Sequence, residues 1–325
     1  MNIRVAAKIE RWPVDGAFTI SRGAKTYVDV VVCEVSNGVL GGFGEATPIY
    51  YEGETVEKCI DEIISFSASR DHFMRSDLAR AMPRGAARNA LDSALWDLQV
   101  QETGESLWQL SGLPQPIALA TAFTISLDHP FKMERDARAA ANKHPMLKLK
   151  LSGVKDLERV AAVRRGAPNA RLIVDANESW NDLDIAAEAA ALAQLGVELI
   201  EQPVSAGRDE LLAGVQSPVP LCADESCHTS ADIARIAPYY DAVNIKLDKA
   251  GGLTEAIKLA DTAEAAGLKL MVGCMLSTSL AIRPAFALAQ RAQWVDLDGP
   301  LLLAEDRENG FIFANGQIAL APVQL

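Results

Sequence analysis

From Ile117 onward the chain alternates short apolar runs with longer amphipathic stretches, and the runs end on charged residues. They read Leu147-Lys148-Leu149-Lys150, Leu172-Ile173-Val174-Asp175, Leu199-Ile200-Glu201, Leu221-Cys222-Ala223-Asp224, Val243-Asn244-Ile245-Lys246 and Trp294-Val295-Asp296-Leu297-Asp298. Lys150, Asp175, Glu201, Asp224 and Lys246 follow one another at steps of 25, 26, 23 and 22 residues. Each step is long enough for one strand, one helix and two short loops, which predicts consecutive strands of a parallel β/α barrel. In such barrels the C-terminal strand ends converge on one site. A first strand over 118–125, a seventh over 268–273 and an eighth over 293–297 complete the set. Seven helices are expected between the strands, among them Ala-rich segments at 185–195 and 254–266.

Alternate residues of a strand face opposite sides. Leu147, Leu149 and Leu151 share one parity, while Lys148 and Lys150 share the other. The sixth strand repeats this, with Val243, Ile245 and Leu247 set against Asn244, Lys246 and Asp248. The apolar set is expected to pack outward on helices, which turns the lysines into the barrel. Lys249 has the wrong parity and precedes Gly251-Gly252, so it is assigned to a turn and Lys246 is preferred.

Residues 1–111 follow another pattern. A valine-rich run at 28–35 and a glycine-rich stretch at 38–44 precede a helix over 86–100, whose Ala90, Leu91, Ala94, Leu95 and Leu98 recur at helical spacing. Strands followed by helices predict a separate α+β unit. Ser111-Gly112-Leu113-Pro114-Gln115-Pro116 marks its end. The expected organisation is thus α/β: an α+β capping domain over 1–111, a TIM-type barrel over 112–299, and a strand-like segment 300–325 that returns to the capping domain.

Composition narrows the function classes. The formal net charge is −12, from 31 Lys and Arg against 43 Asp and Glu, which argues against nucleic acid or an anionic membrane as partner. The first ten residues lack a continuous apolar stretch and no run has membrane-spanning length, so a cytoplasmic protein is expected. Five scattered cysteines without a CxxC pair suit reduced thiols. Cys222 and Cys227 have only His228 nearby, short of the four close ligands of structural zinc. Gly41-Gly42-Phe43-Gly44 and Gly251-Gly252 do not form a dinucleotide fingerprint.

Asp175, Glu201 and Asp224 on neighbouring strands make a hard, oxygen-rich pocket suited to one Mg²⁺ per subunit. Lys150 and Lys246, half a barrel apart, approach a central ligand from opposite sides. A neutral lysine serves as a general base when its pKa is lowered, and Lys148 supplies a like charge beside Lys150. The competing account is that the lysines only neutralise the acidic cluster. Together the parts point to proton abstraction next to a carboxylate, with a cation stabilising the enediolate and a base on each face allowing inversion.

The motifs Lys148-Leu149-Lys150, Asp175-Ala176-Asn177, Glu201-Gln202-Pro203, Ala223-Asp224-Glu225-Ser226 and Asn244-Ile245-Lys246 resemble the muconate-lactonizing subgroup of the enolase superfamily along nearly the whole chain. A Lys base working with Mg²⁺ is this superfamily's general logic. The resemblance implies a modified (β/α)₇β barrel under an N-terminal capping domain. It implies Lys150 and Lys246 as the acid/base pair, Asp175, Glu201 and Asp224 as metal ligands, and Lys148 and Asn177 in support. The chain is most similar to the subgroup's dipeptide epimerases, in which a DxD pair such as Asp296 and Asp298 binds the substrate's N-terminal ammonium. By the same resemblance Arg22 would hold an acidic side chain on the second residue of an Ala-Glu dipeptide, and loops at 18–25 and 48–54 would close over the barrel. N-acylamino acid racemase, o-succinylbenzoate synthase and muconate cycloisomerase share the lysines and metal site and remain alternatives. So does a peptide-binding barrel without turnover. Family members often form symmetric assemblies, and a homo-oligomer fits that pattern.

Overall fold

A computed structural model of the chain describes residues 3–20 and 23–321. The first unit is a three-stranded antiparallel sheet of β1 (Arg4–Ile20), β2 (Gly23–Ser36) and β3 (Gly41–Ala46). Helices α1 (Val56–Ala68), α2 (Arg75–Ala81), α3 (Ala86–Thr103) and α4 (Leu107–Ser111) follow. The central helix α3 lies directly on β3. A Cβ at Gly44 would collide with the Ala90 carbonyl oxygen, so the glycine run serves close helix-to-sheet packing.

After a short β4 (Leu119–Ala120) the barrel strands run β5 (Phe123–Ile125), β6 (Met146–Lys150), β7 (Arg171–Asp175), β8 (Val197–Glu201), β9 (Leu221–Ala223), β10 (Ala242–Ile245), β11 (Lys269–Gly273) and β12 (Trp294–Asp296). They form one eight-stranded sheet in sequential order. The first and last strands meet across a seam, where the Ala122 N–H donates to the Val295 carbonyl at 2.8 Å. The Thr124 N–H donates to Asp298 Oδ2 across the same seam at 2.7 Å. The connecting helices are α5 (Pro130–Ala140), α6 (Asp156–Gly166), α7 (Ile185–Gln194), α8 (Ile233–Ile236), α9 (Leu247–Ala250), α10 (Leu253–Ala265) and α11 (Ser279–Ala289). The connection from β8 to β9 differs from the expected pattern: it carries only a 3₁₀ turn at Asp209–Leu212. Pro203, Gly207, Gly214, Pro218 and Pro220 break that segment too often for a longer helix.

Parity sorts the core as expected. Leu147, Leu149, Leu172 and Val174 join the large cluster with helix residues such as Met133 and Val160. Met146, Ile173, Leu199, Cys222, Met271 and Trp294 form a separate cluster inside the barrel. Each of the first four lies two residues before a charged position, so this apolar layer is the floor on which the polar layer stands.

The described part of the C-terminal segment, 300–321, divides between two destinations. Its first part meets the capping sheet: Leu303 bridges Val14, and Arg307 reaches Glu10 and Glu45 at 2.6 and 2.7 Å. Its second part forms a hairpin of β13 (Ile312–Ala314) and β14 (Gln317–Ala319), and β14 pairs antiparallel with β4. The free edge of β4 explains that destination.

A polar interface locks cap to barrel. Arg88 donates to the Gly251 and Ala250 carbonyls at 3.0 and 2.6 Å. Asp248 accepts from the Thr47 N–H at 2.9 Å and from Asn89 Nδ2 at 3.0 Å. Asp92 accepts from the N–H and hydroxyl of Thr254 at 3.1 and 2.6 Å, capping α10 from another unit of the chain. The helix has no side-chain cap of its own, because Gly252 precedes it. Any Cβ at Gly252 would strike Asp92.

Burial pushes the Asp248 carboxyl up to about 7; the bonds from Thr47 and Asn89 oppose this, and Glu54 and Glu45 add to it. The folded state thus holds this proton more tightly than the unfolded chain, where the carboxyl titrates near 3.8. Its contribution to stability therefore falls as pH rises through the window between those values. Asp248→Asn keeps both acceptor contacts, so it is expected to gain on the parent across that window, by at most ~1.4 kcal/mol per pH unit. Denaturant melts of both proteins at several pH values measure this; a pH-independent difference would contradict it.

Candidate active site

The charged strand ends meet above the apolar floor. Asp175, Glu201 and Asp224 each offer an oxygen, and the three oxygens lie within 4.8 Å of one another. All three side chains are buried. The lysines interleave with them. Lys150 Nζ sits 2.6 Å from Asp175 Oδ2, and Lys246 Nζ sits 2.6 Å from Asp224 Oδ2. Lys148, fully enclosed, lies 2.6 Å from Glu201 Oε2, 2.8 Å from Asp296 Oδ2 and 3.4 Å from Asp175 Oδ2. It is therefore paired with carboxylates and does not stand as a bare like charge beside Lys150.

Lys150 on β6 and Lys246 just past β10 are four strands apart in an eight-stranded barrel, which places them opposite one another. Both line a cavity of about 300 Å³. Lys246 keeps extended backbone, which is why strand parity finds it. Lys249 belongs to α9, one helical turn further on, so it returns to the same side as Lys246. Its ammonium is buried and lies 2.5 Å from Asp224 Oδ1. Parity assigned Lys249 to a turn, whereas it lies in the short helix α9 and is buried against Asp224; the i, i+3 spacing from Lys246 is the signal that reveals this contact.

The electrostatics reflect crowding. Burial raises all three carboxyls. Lys150 and Lys148 reverse this for Asp175, down to about 2, and Lys246, Lys249 and Lys148 reverse it for Asp224. Glu201 stays raised because burial and the Asp175 charge outweigh Lys148. A site in which one of three acids resists ionisation calls for more positive charge. The donor set is all oxygen, and Glu201 Oε2 has no hydrogen-bond partner beyond its ion pair. These features fit a hard divalent cation.

Asp296 and Asp298 are both buried near Cys274, whose thiol is pushed well up by burial and then by these two charges. Cys274 lines the cavity. The two aspartates have different partners: Asp296 Oδ2 is held by Lys148, and Asp298 Oδ2 by the barrel seam. Asp296 Oδ1 is buried without a hydrogen-bond partner. Asn177 lines the cavity with its backbone in the left-handed region, φ 44°.

The capping unit supplies the opposite wall through Phe18, Ile20, Lys25, Thr47, Tyr50 and Tyr51. Arg22 lies outside the described residues. Lys25, three positions on, ends the 18–25 segment expected to close over the barrel and lines the cavity. Its ammonium stands 4.3 Å from the centre of the Tyr50 ring, and burial lowers its pKa against the pull of Asp29.

Two family models cover most of the chain. Residues 132–322 match the enolase C-terminal domain-like family, and residues 2–112 match the mandelate racemase/muconate lactonizing enzyme N-terminal domain. The chain belongs to the enolase superfamily. It is 42% identical to the L-Ala-D/L-Glu epimerase of Escherichia coli K12, over 96% of this chain and 98% of that protein. It is 41% identical to an N-acetyl-D-glutamate racemase of a Pseudoalteromonas species, over 91% and 93%. Among solved structures it resembles an enolase-family member from Agrobacterium tumefaciens with homology to dipeptide epimerases, which holds sodium and L-Ala-L-Glu. That match has a TM-score of 0.94 at 44% identity over 98% of both chains. A dipeptide epimerase from Methylococcus capsulatus, complexed with Mg and L-Arg-D-Lys, matches with a TM-score of 0.90 at 31% identity over 99% and 98%.

Binding of a cation to the folded state alone raises stability by about 2.7 kcal/mol at a hundredfold its Kd. Mg²⁺ is expected to raise the melting temperature of EDTA-treated protein, and Asp224→Asn or Glu201→Gln to remove most of that rise. An equal rise in these variants, seen by calorimetry, would place the cation elsewhere.

Proposed function

We propose that this enzyme is an isomerase, a Mg²⁺-dependent dipeptide epimerase that inverts the α-carbon of the C-terminal residue, with L-Ala-D/L-Glu as its substrate pair. The observation that carries this reading is the opposed placement of Lys150 and Lys246 on a cavity that Asp224 of the acidic cluster also lines. Residues 1–111 act as the cap and 112–299 as the catalytic barrel.

Asp175, Glu201 and Asp224 would hold the divalent cation, which would supply positive charge to offset the negative charge that builds on the substrate carboxylate as the α-proton leaves. One lysine takes the α-proton at its Nζ, and the other returns a proton to the opposite face. Lys148 offsets the remaining charge of Glu201 and Asp296. The orphan oxygen of Asp296, with Asp298 beside it, receives the N-terminal ammonium. Lys25 faces the side chain of the second residue and supplies the positive charge that a Glu side chain needs; Arg22 is the other cation proposed for this role.

N-acylamino acid racemisation is the second reading, favoured by the 41%-identical relative named N-acetyl-D-glutamate racemase. An acylated nitrogen brings no charge to Asp296, which is why the dipeptide is preferred. The acidic surface, at net charge −12, fits a protein without nucleic-acid or membrane partners. No described helix is long and apolar enough to cross a membrane. A cytoplasmic homo-oligomer working in recycling of cell-wall peptides completes the proposal.

In D₂O with Mg²⁺, L-Ala-L-Glu is expected to exchange its Glu α-proton and give L-Ala-D-Glu, as followed by NMR. Lys150→Ala and Lys246→Ala are each expected to lose epimerisation by at least ~100-fold. Full epimerisation in either variant refutes the two-base mechanism, and turnover of N-acetylglutamate without dipeptide exchange favours the second reading. Lys25→Met is expected to raise KM for Ala-Glu by about tenfold or more, the loss of one charge-assisted contact, while barely affecting dipeptides with a neutral second residue. Equal effects on both substrate classes would assign the acidic side chain to another cation, for which Arg22→Ala is the comparison.

A further inference from the structure

Each acid of the cluster has one oxygen already engaged by a donor other than Lys148, Lys150 and Lys246. Asp175 Oδ1 accepts the Asn177 backbone N–H at 3.0 Å. Glu201 Oε1 accepts Asn244 Nδ2 at 2.7 Å. Asp224 Oδ1 faces Lys249 Nζ at 2.5 Å. The other oxygen of each acid lies on the lysine side, with Lys150, Lys148 and Lys246 in turn, each at 2.6 Å.

The pinning donors are themselves fixed. Lys249 is 1% exposed and also donates to the carbonyls of Asp224, Cys227 and Asn244. Asn244 is fully buried, and a side chain at Gly273 would run into its amide. Turning Glu201 to present both oxygens to one ion would strand the buried Asn244 amide, and turning Asp224 would give up its ion pair with the buried Lys249 ammonium.

We propose that Lys249, Asn244 and the Asn177 backbone limit the three acids to one oxygen each, and so set a preference for Mg²⁺ over larger divalent ions such as Ca²⁺. This rests on the reading of Asp175, Glu201 and Asp224 as cation ligands. Mg²⁺ demands a compact octahedron, whereas Ca²⁺ takes six to eight oxygens and uses both oxygens of a carboxylate readily. A site of pinned, single-oxygen acids suits the first ion and denies the second its extra ligands. Lys249 and Asn244 are positioning residues in this account, since neither touches the substrate. The charge of Lys249 opposes both ions alike, so the ratio of their affinities isolates the geometric effect.

The test is calorimetric titration of EDTA-treated protein with Mg²⁺ and with Ca²⁺, without substrate, in the parent, Asn244→Ala and Lys249→Met. The ratio of the Ca²⁺ Kd to the Mg²⁺ Kd is expected to fall at least about tenfold in each variant as a second oxygen is freed. An unchanged ratio in a folded variant that still binds Mg²⁺ overturns the proposal. Lys249→Met strands several buried acceptors, so Asn244→Ala is the milder probe. Crystals of the parent soaked in Mg²⁺ give an independent readout. Single-oxygen coordination by all three acids, with Lys249 still on Asp224 Oδ1, supports the proposal; Asp224 Oδ1 or Glu201 Oε1 on the ion overturns it. A parent that binds neither ion overturns the cation-site reading instead.

Discussion

Mutual repulsion among buried carboxylates is the constraint that shapes the upper half of this barrel. Asp175, Glu201, Asp224, Asp296 and Asp298 are all shielded from water, where each would otherwise be solvated. Desolvation alone would make such a cluster untenable, and it persists because lysines from neighbouring strands are interleaved with it. Lys148 is the hub, since its single ammonium is shared by Glu201, Asp296 and Asp175. Through that hub the three clustered acids and the pair near Cys274 belong to one electrostatically coupled body. A change at any member is felt by the others.

The barrel can hold this layer because the layer beneath it is dry and packed. The apolar floor fixes the strands in register, and the polar residues inherit their positions from it. The capping unit contributes the other wall. Phe18, Ile20, Gly23 and Lys25 of its first two strands and the segment carrying Tyr50 and Tyr51 reach the cavity because α3 is docked against α9 and α10. Thr47 joins the two tasks, lining the cavity while its N–H is held by Asp248.

Much of this was legible in the sequence because a strand has a strict two-residue period. That period alone separated Lys148 and Lys150 from Leu147 and Leu149, and it placed Lys246 in the cavity. It stops at the strand's end. Lys249 lies in the next helical turn, where a different period returns it to the site. Parity also gives no partners, and it stops before Asp298: β12 ends at Asp296, which meets Lys148, while Asp298 lies beyond the strand and meets the barrel seam. The divided course of 300–321 depends on the unpaired edge of β4, a long-range fact with no local trace. The resemblance points to residues 18–25 as a whole, and that Lys25 among them lines the wall follows from cap docking.

The trans cap on α10 bears on how such proteins are inherited and recombined. One family model ends at Gly112 and the other begins only at Lys132, so the chain looks divisible between them. Energetically the division falls elsewhere. The first turn of α10 borrows its terminal acceptor from Asp92, and the space that Asp92 fills exists only because residue 252 has no side chain. An N-terminal cap of this kind contributes ~1 kcal/mol. A cap grafted from a relative would forfeit it unless residues 92 and 252 were exchanged as a pair. Residues 160 positions apart thus form one heritable unit, and the linker is only a seam in the covalent chain.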